Sequence, residues 1–234
     1  MNLILFETGE IDLPLPRTDP RAVHLVRVLR RREGDTFDAG IVNGPAGKAT
    51  LAAMGPEALT IRFEPGPLPA AADPIHLVVA FPRPQTARKI LNEATSLGVA
   101  TMRFFQSQRG EPSYAASTLW ESGEWRRHLL EGAAQAFDTR LPEVTRDSGL
   151  RESLAALPPG CARIAMDNYE ATMRLPNGLA ARPVALAFGP ERGWSPAERS
   201  LLRECGFTLA HLGSRVLRTE TAVVAAISVV KAAG

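Results

Sequence analysis

From residue 75 onward the chain alternates between short apolar runs and longer stretches with helical spacing. This alternation restricts the fold more than any other feature. Ile75–Phe81, Val99–Phe105, Arg163–Met166, Val184–Phe188 and Phe207–Leu212 read as buried strands. Between the first two, Gln85–Leu97 carries Ala87, Ile90, Leu91, Ala94 and Leu97 on one stripe, and Gly98 is its stop. A long amphipathic helix is expected over Leu119–Phe137. Ser195-Pro196-Ala197-Glu198 is a capping box with proline at the first helical position, and Gly206 ends that helix. Glu220–Ala232 is apolar on nearly every face and is expected to be a buried helix. Strands buried on both faces, separated by helices, imply an α/β fold: a parallel sheet with helices on both faces.

The segment before residue 75 follows a different pattern. Pro65-Gly66-Pro67-Leu68-Pro69-Ala70-Ala71-Ala72-Asp73-Pro74 holds four prolines in ten residues. Such density excludes helix interiors and central strands, so a domain boundary is expected there. Upstream, Leu3–Phe6 reads as a strand, and Asp19-Pro20 opens a helix expected to reach about Arg31. Three strand-like runs follow, Thr36–Val42, Lys48–Ala53 and Leu59–Phe63. They are split by the turn signals Asn43-Gly44-Pro45-Ala46-Gly47 and Gly55-Pro56-Glu57. A small barrel capped by one helix fits this pattern, and such barrels often bind RNA. Three divisions result: a barrel over 1–68, a Pro-rich linker over 69–74 and an α/β domain over 75–234.

Several function classes are disfavoured. The apolar start Leu3-Ile4-Leu5-Phe6 is too short for a signal segment, and Ala222–Val230 is too short to cross a bilayer, so a cytoplasmic protein is expected. Cys161 and Cys205 show no metal-ligand spacing and read as buried free thiols; with four scattered histidines, no metal site is expected. Neither Gly-x-Gly-x-x-Gly nor Gly-x4-Gly-Lys-Ser/Thr occurs, which disfavours nicotinamide and nucleoside triphosphate sites. Net charge is only +2, but arginine supplies 24 of the 27 basic residues, three being lysines. Its planar fork suits phosphate contacts, although a codon bias toward arginine accounts for the excess equally well. Arg21, Arg27, Arg30, Arg31 and Arg32 fall within twelve residues.

Chemistry concentrates at two bends. Gly189-Pro190-Glu191-Arg192-Gly193-Trp194-Ser195 follows one apolar strand, and His211-Leu212-Gly213-Ser214-Arg215-Val216-Leu217-Arg218-Thr219-Glu220-Thr221-Ala222 follows the next. Gly-rich turns at the carboxyl ends of successive strands form ligand sites in open α/β sheets. The first bend lacks a lysine and carries Glu191, so it suits a neutral or cationic ligand; a tight connection stapled by the Ser195 cap is the other reading. In the second, Leu212, Val216 and Leu217 can offer backbone groups to an adenine edge. Its Arg215, Arg218 and Glu220 could equally form a structural ion cluster.

These two segments together resemble the ribosomal RNA small subunit methyltransferase E family, S-adenosylmethionine-dependent 16S rRNA uridine-N3 methyltransferases of the SPOUT class. His24-Leu25-x-x-Val28-Leu29-Arg30-x-x-x-Gly34-Asp35 is similar to the family's PUA-like RNA-binding barrel, and Lys89-Ile90-Leu91 through Leu97-Gly98-Val99 to the first helix of its catalytic domain. The resemblance implies a trefoil-knotted sheet, a homodimer, and methylation of a uridine in the decoding region near the 3′ end of 16S rRNA, on the small ribosomal subunit. It implies cofactor contacts from Gly189, Pro190, Glu191, Gly193, Leu212, Gly213, Arg215, Val216, Leu217 and Thr221. Arg192 stands where the family usually has glycine. Ala134-Gln135 replaces Glu-Gln, and Asp138 replaces an arginine, with Arg140 two residues later.

Transfer to uracil N3 requires loss of an imide proton, and a nearby cation stabilises the ring anion. Arg218 and then Arg109 are the candidates. Glu220 would serve as base if burial raised its pKa, or would only cap its helix or pair with Arg218. Arg27, Arg30, Arg31 and Arg32 are expected to hold backbone phosphates, a solvated helix face being the other reading for Arg31 and Arg32. Gln135 either reads the uracil edge or is a polar residue of the helix surface, and Arg140 is a further RNA-binding candidate. A methyltransferase acting on another RNA or on a ribose 2′-hydroxyl, and an assembly factor that binds cofactor and RNA with little activity, stay open as alternatives.

Overall fold

The computed structural model describes residues 3–179 and 183–232. It divides into two compact units: Met1–Ala71 with Ala133–Leu141, and Ala72–Gly132 with Pro142–Gly234.

In the first unit, five strands form one sheet in the order β1-β3-β4-β5-β2. They are β1 (Ile4–Phe6), β2 (Leu15–Pro16), β3 (Thr36–Ile41), β4 (Ala46–Met54) and β5 (Ala58–Pro65). β1 pairs parallel with β3, and the other pairings are antiparallel, with an irregularity between Leu51 and Ala53. Phe6, Leu15, Leu25, Phe37, Leu51 and Leu59 pack in its core. Strand β2 escaped the sequence reading because two residues beside a proline carry no periodicity. Asp19 caps α1 (Pro20–Val23), its carboxylate accepting the Arg21 amide at 2.8 Å. The helix widens to a π turn over His24–Val28 and ends at Leu29, short of the expected Arg31. Segment 134–141 laces onto this unit. The Leu3 amide donates to Ala134 O, the Asn43 amide to Thr139 O, and the Leu141 amide to Asn43 Oδ1. A contiguous division near residue 75 does not describe that return.

The second unit is a seven-stranded, wholly parallel sheet ordered β10-β12-β9-β11-β6-β7-β8. Its strands are β6 (Asp73–Ala80), β7 (Val99–Phe105), β8 (Glu143–Asp147), β9 (Ala162–Met166), β10 (Met173–Arg174), β11 (Val184–Phe188) and β12 (Thr208–His211). Helices α2 (Pro84–Ser96), α5 (Leu150–Ala155), α6 (Pro196–Glu204) and α7 (Thr219–Lys231) alternate with them. The single helix expected over Leu119–Phe137 is instead two, α3 (Thr118–Glu121) and α4 (Glu124–Gln135), broken at Gly123 with φ +76°. Helix α7 is not buried all round. Val223, Ala226, Ile227 and Val230 are buried, while Thr221 and Ser228 are exposed and Val224, Ala225 and Val229 half-buried. Cys161 and Cys205 are free and half-buried rather than fully buried. Among the described residues no helix is long and apolar enough to cross a membrane, and no cluster of metal-ligating side chains occurs.

Candidate functional site

Strands β9, β11 and β12 are neighbours, with Phe188 opposite Met166 and Met166 opposite Ala210. Their carboxyl ends open into one cleft of about 110 Å³ that is partly open to solvent. Such an opening beyond the carboxyl ends of parallel strands is where α/β sheets bind ligands.

The turn after β11 forms one wall, with Gly189, Pro190, Glu191 and Gly193 all lining the cleft. Backbone and packing explain its glycines. Gly193 has φ +70°, and a Cβ there would sit 2.9 Å from the Tyr169 ring; a Cβ on Gly189 would press the Trp194 ring at 3.0 Å. Trp194 is buried, stacks on Phe105 at 6.1 Å and donates its indole N–H to Met166 O at 2.9 Å. Arg192 is not left-handed, so an arginine in place of glycine costs this backbone nothing.

Ser195 and Glu198 complete the expected capping box and tie α6 to the loop after β7. Buried Glu198 accepts the Ser195 amide at 2.8 Å, the Ser107 hydroxyl at 2.8 Å and the Gln108 amide at 3.0 Å. Arg109, on that same loop, donates to Arg192 O at 3.4 Å. It therefore stands at the rim of the Gly189–Gly193 turn without being part of the cleft wall.

The opposite wall comes from the second bend: Leu212, Arg215, Val216 and Leu217 line the cleft, joined by Thr219 and Ala222 of α7. Two expected contacts fall outside this wall. Gly213 supports the bend with φ +133°, its amide donating to His211 Nδ1 at 3.1 Å, and Thr221 faces solvent. Among the described residues, the amides of Ser214 to Leu217 take no backbone hydrogen bond. Arg218 is the exposed N-cap of α7, lying between the lining residues Leu217 and Thr219.

Glu220 does not meet the condition for a base. Burial pushes its carboxyl up, but its own backbone amide, the Lys89 ammonium and Arg218 outweigh that and hold it below the usual carboxylate range. Its ion pair is with Lys89, at 3.2 Å, rather than with Arg218.

A third wall was not anticipated. Met166, Asp167, Asn168 and Tyr169, after β9, line the cleft together with Phe188 and Trp194. Buried Asp167 accepts the Tyr169 amide at 2.5 Å, the Glu170 amide at 2.9 Å and Arg199 Nε at 2.6 Å. Burial pushes this carboxyl up, and Arg199 with the two amides holds it below its ordinary value. The Arg199 guanidinium lies 5.6 Å from the centre of the Tyr169 ring. Asp167 was the one visible signal for this wall, an acid directly after a buried strand. No glycine or arginine motif accompanies it.

The RNA candidates lie in the first unit. Arg27 and Arg30 are exposed, while Arg31 is half-buried. Arg21, from the same cluster, is structural: it binds Glu10 and Asp19 at 2.6 and 2.7 Å and lies over Phe6 at 4.8 Å. Gln135 is exposed at the end of α4. Arg140 is half-buried and donates to Pro69 O at 3.0 Å.

Residues 69–231 match the family model of the RNA methyltransferase domain. A Treponema pallidum protein named ribosomal RNA small subunit methyltransferase E is 34% identical over 246 aligned positions, covering 99% of this chain and 91% of its own. A Borreliella burgdorferi protein, ribosomal RNA small subunit methyltransferase E 1, is 26% identical across 97% of this chain and 95% of its own. The crystal structure of the Neisseria gonorrhoeae methyltransferase E bound to S-adenosyl methionine shares the fold, with TM-score 0.75, 24% identity and coverage of 97% and 95%. The spacing of the two bends, the cleft they form and these similarities agree: the chain belongs to the ribosomal RNA small subunit methyltransferase E family.

Proposed function

We propose that the protein transfers a methyl group from S-adenosylmethionine to N3 of a uridine in 16S rRNA of the small ribosomal subunit. The observation that carries this reading is the convergence of the Gly189–Gly193 and Leu212–Leu217 bends on one cleft. The cleft suits the cofactor. Phe188, Leu212, Val216 and Leu217 provide apolar walls, the free amides of Ser214 to Leu217 match the hydrogen-bonding edge of an adenine, and Glu191 brings negative charge toward a sulfonium. When bound, the cofactor supplies the electrophilic methyl group.

The residues of the chain then act by position and charge. Positioning accounts for most of the barrier reduction in such a displacement. The Arg218 guanidinium takes no hydrogen bond or ion pair among the described residues, and its neighbours Leu217 and Thr219 both line the cleft. That frees it to stabilise charge on the uracil oxygens as the N3 proton leaves. Arg109, held to the Arg192 carbonyl, is placed to do the same from the opposite rim. Glu220, ionised and paired with Lys89, keeps α7 against α2 and leaves the imide proton to solvent. The target base must be unpaired or flipped out to reach this cleft.

The finer architecture follows the same reading. Strand β11 lies between β9 and β6 while β12 lies on the far side of β9, and α7 returns to pack on α2 and β11. This order supports a trefoil knot closed by the two bends. The five-stranded first unit supports a PUA-like RNA-binding barrel. A homodimer is supported by apolar surface left uncovered in one copy: Val224, Ala225 and Val229 of α7 are only half-buried, and Val216 is 81% exposed.

Nucleoside mass spectrometry of 16S rRNA from a strain lacking the gene tests the proposal. Loss of one 3-methyluridine, restored by the intact gene but not by an Arg218→Ala copy, is the expected result. An unchanged nucleoside content overturns it.

A further inference from the structure

Among the described residues, three other than glycine have positive φ: Arg30 at 52°, Asn43 at 57° and Phe137 at 57°. Asn43 explains itself. Asparagine tolerates this region, its amide donates to Thr139 O, and its side chain accepts the Leu141 amide. The other two occupy the position just past a helix end, where glycine is favoured because it lacks a Cβ. Elsewhere the chain obeys that preference, ending α2 on Gly98 at +78° and α6 on Gly206 at +79°. After α4, the Asp138 amide reaches back to Ala133 O at 3.0 Å and the Phe137 amide to Ala134 O at 3.3 Å, forcing residue 137 into the left-handed region. The turn sends residues 138–141 back onto the first unit, yet the ring that bears the strain is 47% exposed and stands outside the core cluster around Phe6 and Leu25. Arg30 is exposed too. An aromatic ring and a guanidinium held outward at an energetic cost to the backbone mark residues kept for what they touch.

We infer that Phe137 is an RNA-positioning residue, its ring stacking on an unpaired base of the RNA substrate, with Arg30 gripping a backbone phosphate. This rests on the RNA methyltransferase reading proposed above. Aromatic faces for bases combined with arginines for phosphates are how single-stranded RNA is held. Around Phe137, Gln135 and Ala136 are exposed, and the Asp138 carboxylate is engaged by the Arg140 amide at 3.0 Å.

The test separates stability from binding. Phe137→Gly relieves the backbone and raises Tm by about 2–4 °C. On small subunits stripped of the modification, it raises KM about tenfold more than it lowers kcat, while affinity for S-adenosylmethionine holds. Phe137→Tyr, which keeps the ring, restores KM. Arg30→Gly likewise raises Tm and reduces the salt slope of subunit binding by about one. An unchanged KM for Phe137→Gly overturns the inference, as does full KM recovery by Phe137→Leu, which would make the contact merely apolar. Dissociation of a dimer by Phe137→Gly in sedimentation would reassign the ring to an interface between copies. A parent protein that binds cofactor but transfers no methyl group to stripped subunits would instead bring down the proposed function, and this inference with it.

Discussion

Replacing Asp167 with alanine tests how the third wall of the cleft is built. Its carboxylate satisfies two backbone amides of the wall and the guanidinium of Arg199, which is only 6% exposed. Removing one partner of a buried pair leaves an uncompensated charge, at a cost of about 3–5 kcal/mol. Glu170, 3.5 Å from Arg199 but largely solvated, offers partial compensation, which places the expected loss near 3 kcal/mol. In a chain of this length that lowers Tm by about 6–12 °C. The same change frees Tyr169 and weakens binding of S-adenosylmethionine. Thermal unfolding and calorimetric titration of the single variants and of Asp167→Ala combined with Arg199→Leu measure the coupling. A double variant more stable than Asp167→Ala alone is expected. The pH dependence has a definite sign. The folded-state pKa is depressed, so the stabilisation is present above the unfolded value of about 3.9 and is lost as pH falls through the folded one. Coupling energy near zero, or unaltered cofactor affinity in Asp167→Ala, would refute the argument.

Other expectations concern the chemistry and the chain path. Glu220→Gln retains most single-turnover activity, because a carboxylate whose pKa Lys89 helps hold below the usual range is a weak proton acceptor; a loss beyond about 100-fold would restore that role. Arg218→Ala lowers kcat by about 100-fold or more while cofactor affinity, read by calorimetry, stays unchanged. Arg140→Ala lowers Tm through loss of its bond to Pro69 O; an effect confined to RNA affinity would contradict the structural assignment.

Much of this was legible in the sequence where local physics decides. Strands buried on both faces announced the parallel sheet, and β7 and β11 begin and end where their apolar runs do. The capping box of α6 is present as read, because a serine and a glutamate three residues apart satisfy each other's amides. The two bends were readable because their glycines answer to close approaches and positive φ. What stayed hidden depends on tertiary pairing. Strand β8 and helix α5 escaped because polar Glu143–Asp147 sits at the sheet edge and α5 spans under two turns. Sequence spacing cannot reveal that Glu220 faces Lys89, 131 residues away, or that Asp167 holds Arg199. Nor does it show that residues 133–141 return to the first unit, an event made by amides of no distinctive type.

The central claim is tested most directly by incubating the protein with labelled S-adenosylmethionine and small ribosomal subunits lacking the modification, then identifying the product nucleoside by mass spectrometry. The account predicts label in 3-methyluridine at a single position of 16S rRNA, at a rate lowered about 100-fold or more by Arg218→Ala. Label on a ribose 2′-hydroxyl or in another RNA, or no transfer despite cofactor binding, would contradict it.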